Sequence, residues 1–437
     1  MVKHACLGLA LACAMVWPVQ AETGGYVSVT QVFSLGEALQ RALNENPALR
    51  ATEETAGASR AVARARMGAF LPRVEAAGSW GVATSDARDS AGQREKSLHP
   101  MAQTLTVVQP LTLAEETANV VAARASSKAF GADVLAARQN TLQNVVDAYT
   151  GILVQKTAVS STLSLIAALQ SQSKAAQARF RTGEGTKTDM AQANARLTQA
   201  KAQLAEAEGQ LAVRRQQLVG LVGALPVGAE FAWPTLPTVA RSSSTTPEAA
   251  VAYHPQLVAA QARARSKRAE AFGAGTAALP EISARLQAAR TEEQVNRTNG
   301  PTDTRSLTIQ ATMPLFQGGQ VFSAVQAARA QARSAEYELQ DLQNTLAANL
   351  LAAEANVSSA KLSAQAAEES LQAQQTATKG YRLEYKYGER SFPDLLDAER
   401  ELNTATLQAA QARQAAVRAA YGVLAARGEL TQLPPQP

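Results

Sequence analysis

The chain has 437 residues and carries 42 basic against 37 acidic side chains, a formal charge of +5; 46% of it is hydrophobic, 5% aromatic and 18% charged. That apolar share excludes wholesale disorder, and so small a charge spread over so long a chain argues against a nucleic-acid partner. Much of the apolar share is alanine, as from Ala328 to Ala332 and from Ala405 to Ala419, which favours helix while burying little surface, so long helices packed through small side chains fit better than one thick core.

Residues 1–21 read as a signal peptide: Lys3, an apolar run from Ala5 to Val16, then Val19-Gln20-Ala21 as a small-x-small cleavage site. An alternative reading makes Cys13 a lipidated cysteine after Ala10-Leu11-Ala12. With cleavage at Ala21 the mature chain starts near Glu22, keeps a charge of +4 because only Lys3 is lost, and contains neither Cys6 nor Cys13. It then has no thiolate for a disulfide, a metal or a nucleophile. No run of 18 apolar residues follows, so no transmembrane helix is expected beyond the signal.

The first half spans residues 22–223. Ser34 to Phe70 is helical by composition, with Ser34 as cap and Glu37 three residues on, and Pro72 ends it. Two strand candidates follow. Val74, Ala76, Gly78, Trp80 and Val82 share one face of the first, and Leu105 and Val107 alternate with Thr104 and Thr106 in the second. A polar loop, Ser85 to Ser97, joins them. Residues 113–180 lack proline and predict a helix of 68 residues, about 100 Å at 1.5 Å per residue. Thr186 to Gly223 is a further helix.

A Pro- and Ser-rich linker, residues 224–247, reads as loop. The second half, residues 248–427, then repeats the landmarks of the first, leaving a tail at 428–437. Asn46-Pro47 answers to His254-Pro255 and Leu71-Pro72 to Leu279-Pro280, each 208 residues on; Gly183, Asp189 and Leu197 answer to Gly388, Asp394 and Leu402 at 205. Landmarks in one order predict an internal two-fold repeat of helix, strand, strand, long helix and helix. In the second half Ile282, Ala284, Leu286 and Ala288 alternate with Glu281, Ser283, Arg285 and Gln287, and Leu307, Ile309, Ala311 and Met313 with Ser306, Thr308, Gln310 and Thr312. Thr291 to Thr304 reads as the loop between them. Leu339, Leu342, Leu346 and Leu350 mark a helical seam in the second long helix.

The strands have the length that crosses an outer membrane, with one lipid face and one watery face. Four strands cannot close a barrel in lipid, where an open edge leaves amides unpaired. Three copies would supply 12. The fold class expected is therefore mainly α: a long α-helical coiled-coil barrel with four β-strands per protomer in a transmembrane β-barrel. The competing reading is a soluble periplasmic coiled-coil scaffold or adaptor without a pore. A helical enzyme has no constellation behind it: the histidines are His4, His99 and His254, too few and too far apart for a metal cluster. No cofactor or metal site is expected.

The two turns after the long helices are the motifs that carry most. Gly183-Glu184-Gly185-Thr186 and Gly388-Glu389-Arg390-Ser391 each close one helix with glycine and cap the next with a hydroxyl; Asp189 and Asp394 stand three residues after their caps. Capping and function are both open for these two. Asp397 lies beyond capping reach, its counterpart is Gln192, and it shares a helix face with Asp394.

The repeated unit, Asn46-Pro47, Met313-Pro314-Leu315-Phe316-Gln317-Gly318-Gly319 and the segment Gly388 to Glu399 resemble the TolC-type outer membrane factor family of trimeric channel-tunnels. The resemblance covers essentially the mature chain. It implies a homotrimer in the outer membrane that extends into the periplasm, contacts outer membrane lipid, and serves as a passive exit duct in multidrug efflux or type I secretion. It also implies a periplasmic adaptor and an energy-supplying inner-membrane transporter as partners. By position, Tyr385 and Arg390 resemble the inner-coil residues of the family's periplasmic gate, Gln172 and Asp189 the outer ones, and Asp394 and Asp397 its acidic aperture. Pro393 departs from the pattern.

Overall fold

The computed structural model describes residues 32–82, 100–226, 228–237, 246–292 and 301–430. The predicted signal peptide with both cysteines, the loop Ser85 to Ser97 and residues 431–437 lie outside the described residues. In order, the elements are α1 (Leu35–Glu45), α2 (Pro47–Met67), a single 3-10 turn (Gly68–Phe70), β1 (Arg73–Trp80), β2 (Met101–Pro110), α3 (Ala114–Thr182) and α4 (Lys187–Val222). The second half continues with α5 (Pro247–Ala250), α6 (Pro255–Thr276), β3 (Glu281–Glu292), β4 (Thr302–Thr312), α7 (Gln320–Lys386) and α8 (Phe392–Ala426). The order of strands and long helices is the same in both halves.

The helix expected from Ser34 to Phe70 is broken once. Ser34 caps it as read, its Oγ accepting the Glu37 N–H at 3.2 Å, but Pro47 has no N–H to continue the ladder and restarts a helix at its own first turn. Asn46 caps the new start, its side chain accepting the Leu49 N–H at 3.1 Å. The long helix α3 runs 69 residues, about 104 Å. It contains an 18-residue window whose average hydropathy suffices to cross a membrane by length and composition, although polar residues such as Asp147 and Lys156 interrupt the most apolar part of the helix. Leu142, Val145, Val146, Ile152 and Leu153 on this helix are buried within the protomer, a packing role.

The long helices pack side by side. Near the strands, neighbours run α2, α3, α6, α7; toward the far end they run α4, α3, α8, α7. Where these two arrangements meet, Phe33, Leu39, Leu142, Tyr149, Ile152, Leu218, Val222, Val417 and Tyr421 form the main apolar cluster. The linker read as loop contributes to it: Phe231 is buried there, edge-on to Phe33 and Tyr149 at 6.0 and 5.4 Å, and Val32 bridges Glu230 in parallel. The leucine seam holds too, with Leu346 and Leu350 buried against Val251 and Leu257, and Leu339 and Leu342 beside them.

All four strands pair antiparallel in one sheet, in the order β1-β2-β3-β4. β3 and β4 are longer than read, since Thr291 pairs with Thr302 inside what the sequence suggested was loop. The register lines up Val74, Val107, Leu286 and Leu307 in one row, and Glu75, Thr106, Gln287 and Ser306 in the next. Successive rows point to opposite faces, so around these rows the sheet has one apolar and one polar side, while Gln103, Arg290, Asp303 and Arg305 share the apolar side toward the strand ends. Among the described residues, the outer edges of β1 and β4 have no partner strand.

Candidate functional site

Both hairpin turns at the far end are built the same way. α3 ends at Gly183 with φ 80°, and Gly388 after α7 has φ 81°, a left-handed conformation that glycine adopts without a Cβ clash. The next helices open with reciprocal capping boxes. Asp189 accepts from the Thr186 N–H at 3.2 Å and hydroxyl at 2.8 Å while its own N–H donates to Thr186 Oγ1 at 3.1 Å. Asp394 and Ser391 repeat this at 3.2, 2.6 and 3.4 Å. The Ser391 hydroxyl and N–H hold the Asp394 carboxyl below the usual range, with Arg390 adding to the effect. Pro393 sits within the first turn of α8, where it costs no backbone bond.

The expected gate residues gather at this end, but with partners the sequence did not suggest. Tyr385 on α7 takes its bond from Arg179 on α3: the guanidinium donates to the phenol oxygen at 2.7 Å and lies 4.8 Å from the ring centre. Burial raises the phenol's pKa, and Asp189 is near enough to push the same way while Arg179 opposes both. Arg390 folds back onto its own hairpin, 2.8 Å from Glu384 and 4.9 Å from the Tyr381 ring; within one protomer it does not reach Asp189. Gln172 is half-buried on α3, next to Ser173, whose hydroxyl donates to Asn194 on α4 at 2.8 Å. Beneath the turns Phe392, Leu396 and Tyr385 pack on Leu165, Ile166, Leu169 and Ala193, docking one hairpin against the other.

The two aperture carboxylates differ. Asp394 is exposed, whereas half-buried Asp397 is engaged by Arg196 of α4 at 3.3 Å and by Arg400 at 3.7 Å. A third acid was missed in the sequence: Glu399, with 4% of its side chain exposed, receives Arg382 through two bonds of 2.6 and 2.7 Å. Buried carboxylates need such a partner, yet Arg382 lies 17 residues away across the turn, and no local pattern marks the pair. Among the described residues no group of histidine, cysteine and acidic side chains is placed to hold a metal ion.

Two features thus stand at opposite ends: a hydrogen-bonded, charged double turn, and an open sheet with an exposed apolar face. The sequence matches the outer membrane efflux protein family over residues 38–224 and again over 246–429. The chain belongs to that family. It is 27% identical over 318 residues, 72% of this chain and 68% of the other, to the outer membrane efflux protein BepC of Brucella suis. Against the alkaline protease secretion protein AprF of Pseudomonas aeruginosa it is 25% identical over 401 residues, 87% of this chain and 82% of that one. The fold matches the CmeC outer membrane channel of Campylobacter jejuni with a TM-score of 0.79 at 17% identity, covering 90% and 85% of the two chains. A member of this family lies in the outer membrane and extends into the periplasm, so the soluble scaffold is set aside.

Proposed function

We propose that three copies of this chain close into one duct, a 12-stranded barrel continued by a helical one, through which an export system releases its cargo. The open sheet carries this reading: among the described residues both edges lack partner strands, and Leu307 and Ile309 on the apolar face are 73% and 70% exposed. Lipid accepts that face but not the unpaired edges. The energy comes from an inner-membrane transporter, and a periplasmic adaptor joins the two. BepC is named for efflux and AprF for protease secretion, so the transporter, rather than the duct, selects the cargo.

In the same reading the double turn is the gate. Tyr385 and Arg390 on the inner hairpin, with Gln172 and Asp189 on the outer one, hold it shut, and Asp394 and Asp397 line the aperture. Arg179 joins this set because it already ties Tyr385 to α3. Each exposed pair contributes only about 0.2–1 kcal/mol, so closure is shared among pairs and copies. Purified protein in a planar bilayer tests this. Wild type is expected to give small single-channel steps, and Tyr385→Phe combined with Arg390→Ser to give steps several-fold larger. No channel at all would sink the duct; equal steps from both forms would sink the gate alone.

A further inference from the structure

Each half of the chain fastens the start of one helix to the end of another through a single buried residue. In the first half Asn46, 5% exposed, caps α2 by accepting the Leu49 N–H, and its amide donates at 3.2 Å to the Leu221 carbonyl in the last turn of α4. In the second half His254, 4% exposed, occupies the matching place before Pro255. Its Nδ1 accepts the Gln256 N–H at 3.3 Å, capping α6, and its Nε2 lies 3.2 Å from the Ala425 carbonyl in the last turn of α8. The two contacts fix the tautomer: Nδ1 is bare and Nε2 carries the proton. Gly428, at φ 75°, presses so closely on His254 and Pro255 that a Cβ there would come within 2.9 Å of both.

We propose that these are two versions of one interhelical clasp, and that His254 makes the second one sensitive to acid while Asn46 makes the first one indifferent to it. Protonation puts a hydrogen on Nδ1, facing the Gln256 N–H. Two donors then oppose each other, and the cap of α6 is lost together with the ring position that holds α8.

Among the described residues, no charged side chain lines the space beside the ring. His254 opens on a cavity of about 400 Å3 walled by Gln139, Asn140 and Gln143 of α3, Gln256 of α6, and Asn349 and Asn356 of α7, without a charged side chain. The charged residues next in sequence to these walls are Arg138 on α3, Glu354 on α7, and Arg427 and Glu429 after α8. Arg138 is paired with Glu53 at 2.7 Å and Arg427 with Glu354 at 2.7 Å. The Gln139 amide also donates to the Ala425 carbonyl, so that carbonyl keeps a partner when the imidazole leaves. Burial lowers the pKa of His254 from 6.5, with the Ala425 carbonyl opposing it. The closed clasp therefore holds a neutral ring, whereas an opened one takes up a proton at the ordinary value. Its stability is complete above about pH 6.5 and is lost as pH falls from there toward the depressed value of the folded state.

Hydrogen exchange of the purified full-length protein between pH 7.5 and 5, corrected for intrinsic rates, tests this. Protection of residues 255–258 and 425–430 in wild type is expected to fall about tenfold per pH unit once the pH is below 6.5. The Asn46 clasp, residues 47–50 and 221–225, should hold its protection and serves as the internal reference. His254→Asn should abolish the pH response while keeping the clasp closed, and Asn46→His should install the same response in the first half. A wild-type response equal at both clasps would overturn the inference, even where a variant fails to fold. So would a His254→Asn protein that loosens with acid as the wild type does.

Discussion

At the scale of single residues, the most consequential polar group in the interior is the Tyr149 hydroxyl. It donates to the Phe33 carbonyl at 2.7 Å and accepts the Ala232 N–H at 3.3 Å, so one side chain of α3 holds both the entry to α1 and the linker between halves. Burial raises its pKa, which keeps the proton on the oxygen throughout the physiological range. Tyr149→Phe preserves the ring packing on Phe231 and removes only the hydroxyl, leaving the buried Phe33 carbonyl and the part-buried Ala232 N–H short of a partner. The expected cost is about 1–3 kcal/mol, read as a lower denaturation midpoint by urea with tryptophan fluorescence, since Trp233 packs beside this cluster. A midpoint equal to wild type would mean that water replaces the hydroxyl. The tip teaches a related lesson about residues. Glycines and capping boxes are local in sequence and could be read there, but Arg179 is 206 positions from Tyr385 and Arg196 is 201 from Asp397, so only the fold reveals those partners. Arg390 differs from these, because Glu384, six positions earlier, already holds it at 2.8 Å.

At the scale of elements, the strands test whether alternation in sequence was read on the correct sides. Leu307 belongs to the row Val74-Val107-Leu286-Leu307 and Ser306 to the row Glu75-Thr106-Gln287-Ser306, so in the proposed duct adjacent residues face lipid and water. Lysine on the lipid face of a barrel costs about 2–4 kcal/mol near the bilayer centre. Leu307→Lys is therefore expected to cut the amount of protein assembled in outer membranes several-fold, whereas Ser306→Lys should leave it near wild type; equal loss from both would reject the assignment of faces. The elements were legible because period-two and period-3.6 patterns report which side of a segment is apolar. The break at Asn46 escaped notice because composition stays helical on both sides, and the 3-10 turn after Met67 because three residues carry no period. The packed linker escaped because Pro234 and Pro237 mark irregular backbone without revealing that Phe231 and Trp233 point inward.

At the scale of the whole molecule, the described residues leave both long edges of the chain uncovered. α7 has 67 residues but buries only Ala332, Leu346, Ala347, Leu350 and Thr378, while α3 buries residues along its whole length. The difference follows from position: α3 has neighbours on both sides and α7 on one. In the proposed trimer, α7 of one copy lies beside α2 and α4 of the next, and β4 beside the next copy's β1. Directly opposed residues in a sheet share a face, which gives the junction a parity that can be read chemically. Leu307 is on the same face as Val74, Ala76 and Gly78, and opposite to Glu75, Ala77 and Ser79. With cysteine at 307 and a second cysteine moved along β1, mild oxidation should give a covalent trimer for one or two adjacent members of the set 74, 76 and 78. Positions 75, 77 and 79 should give none, because their Cβ atoms point away, beyond the roughly 3.5–4.5 Å that a disulfide spans. Crosslinking at the odd positions alone, or at no position in membranes that contain the protein, would show that copies do not meet through β1 and β4.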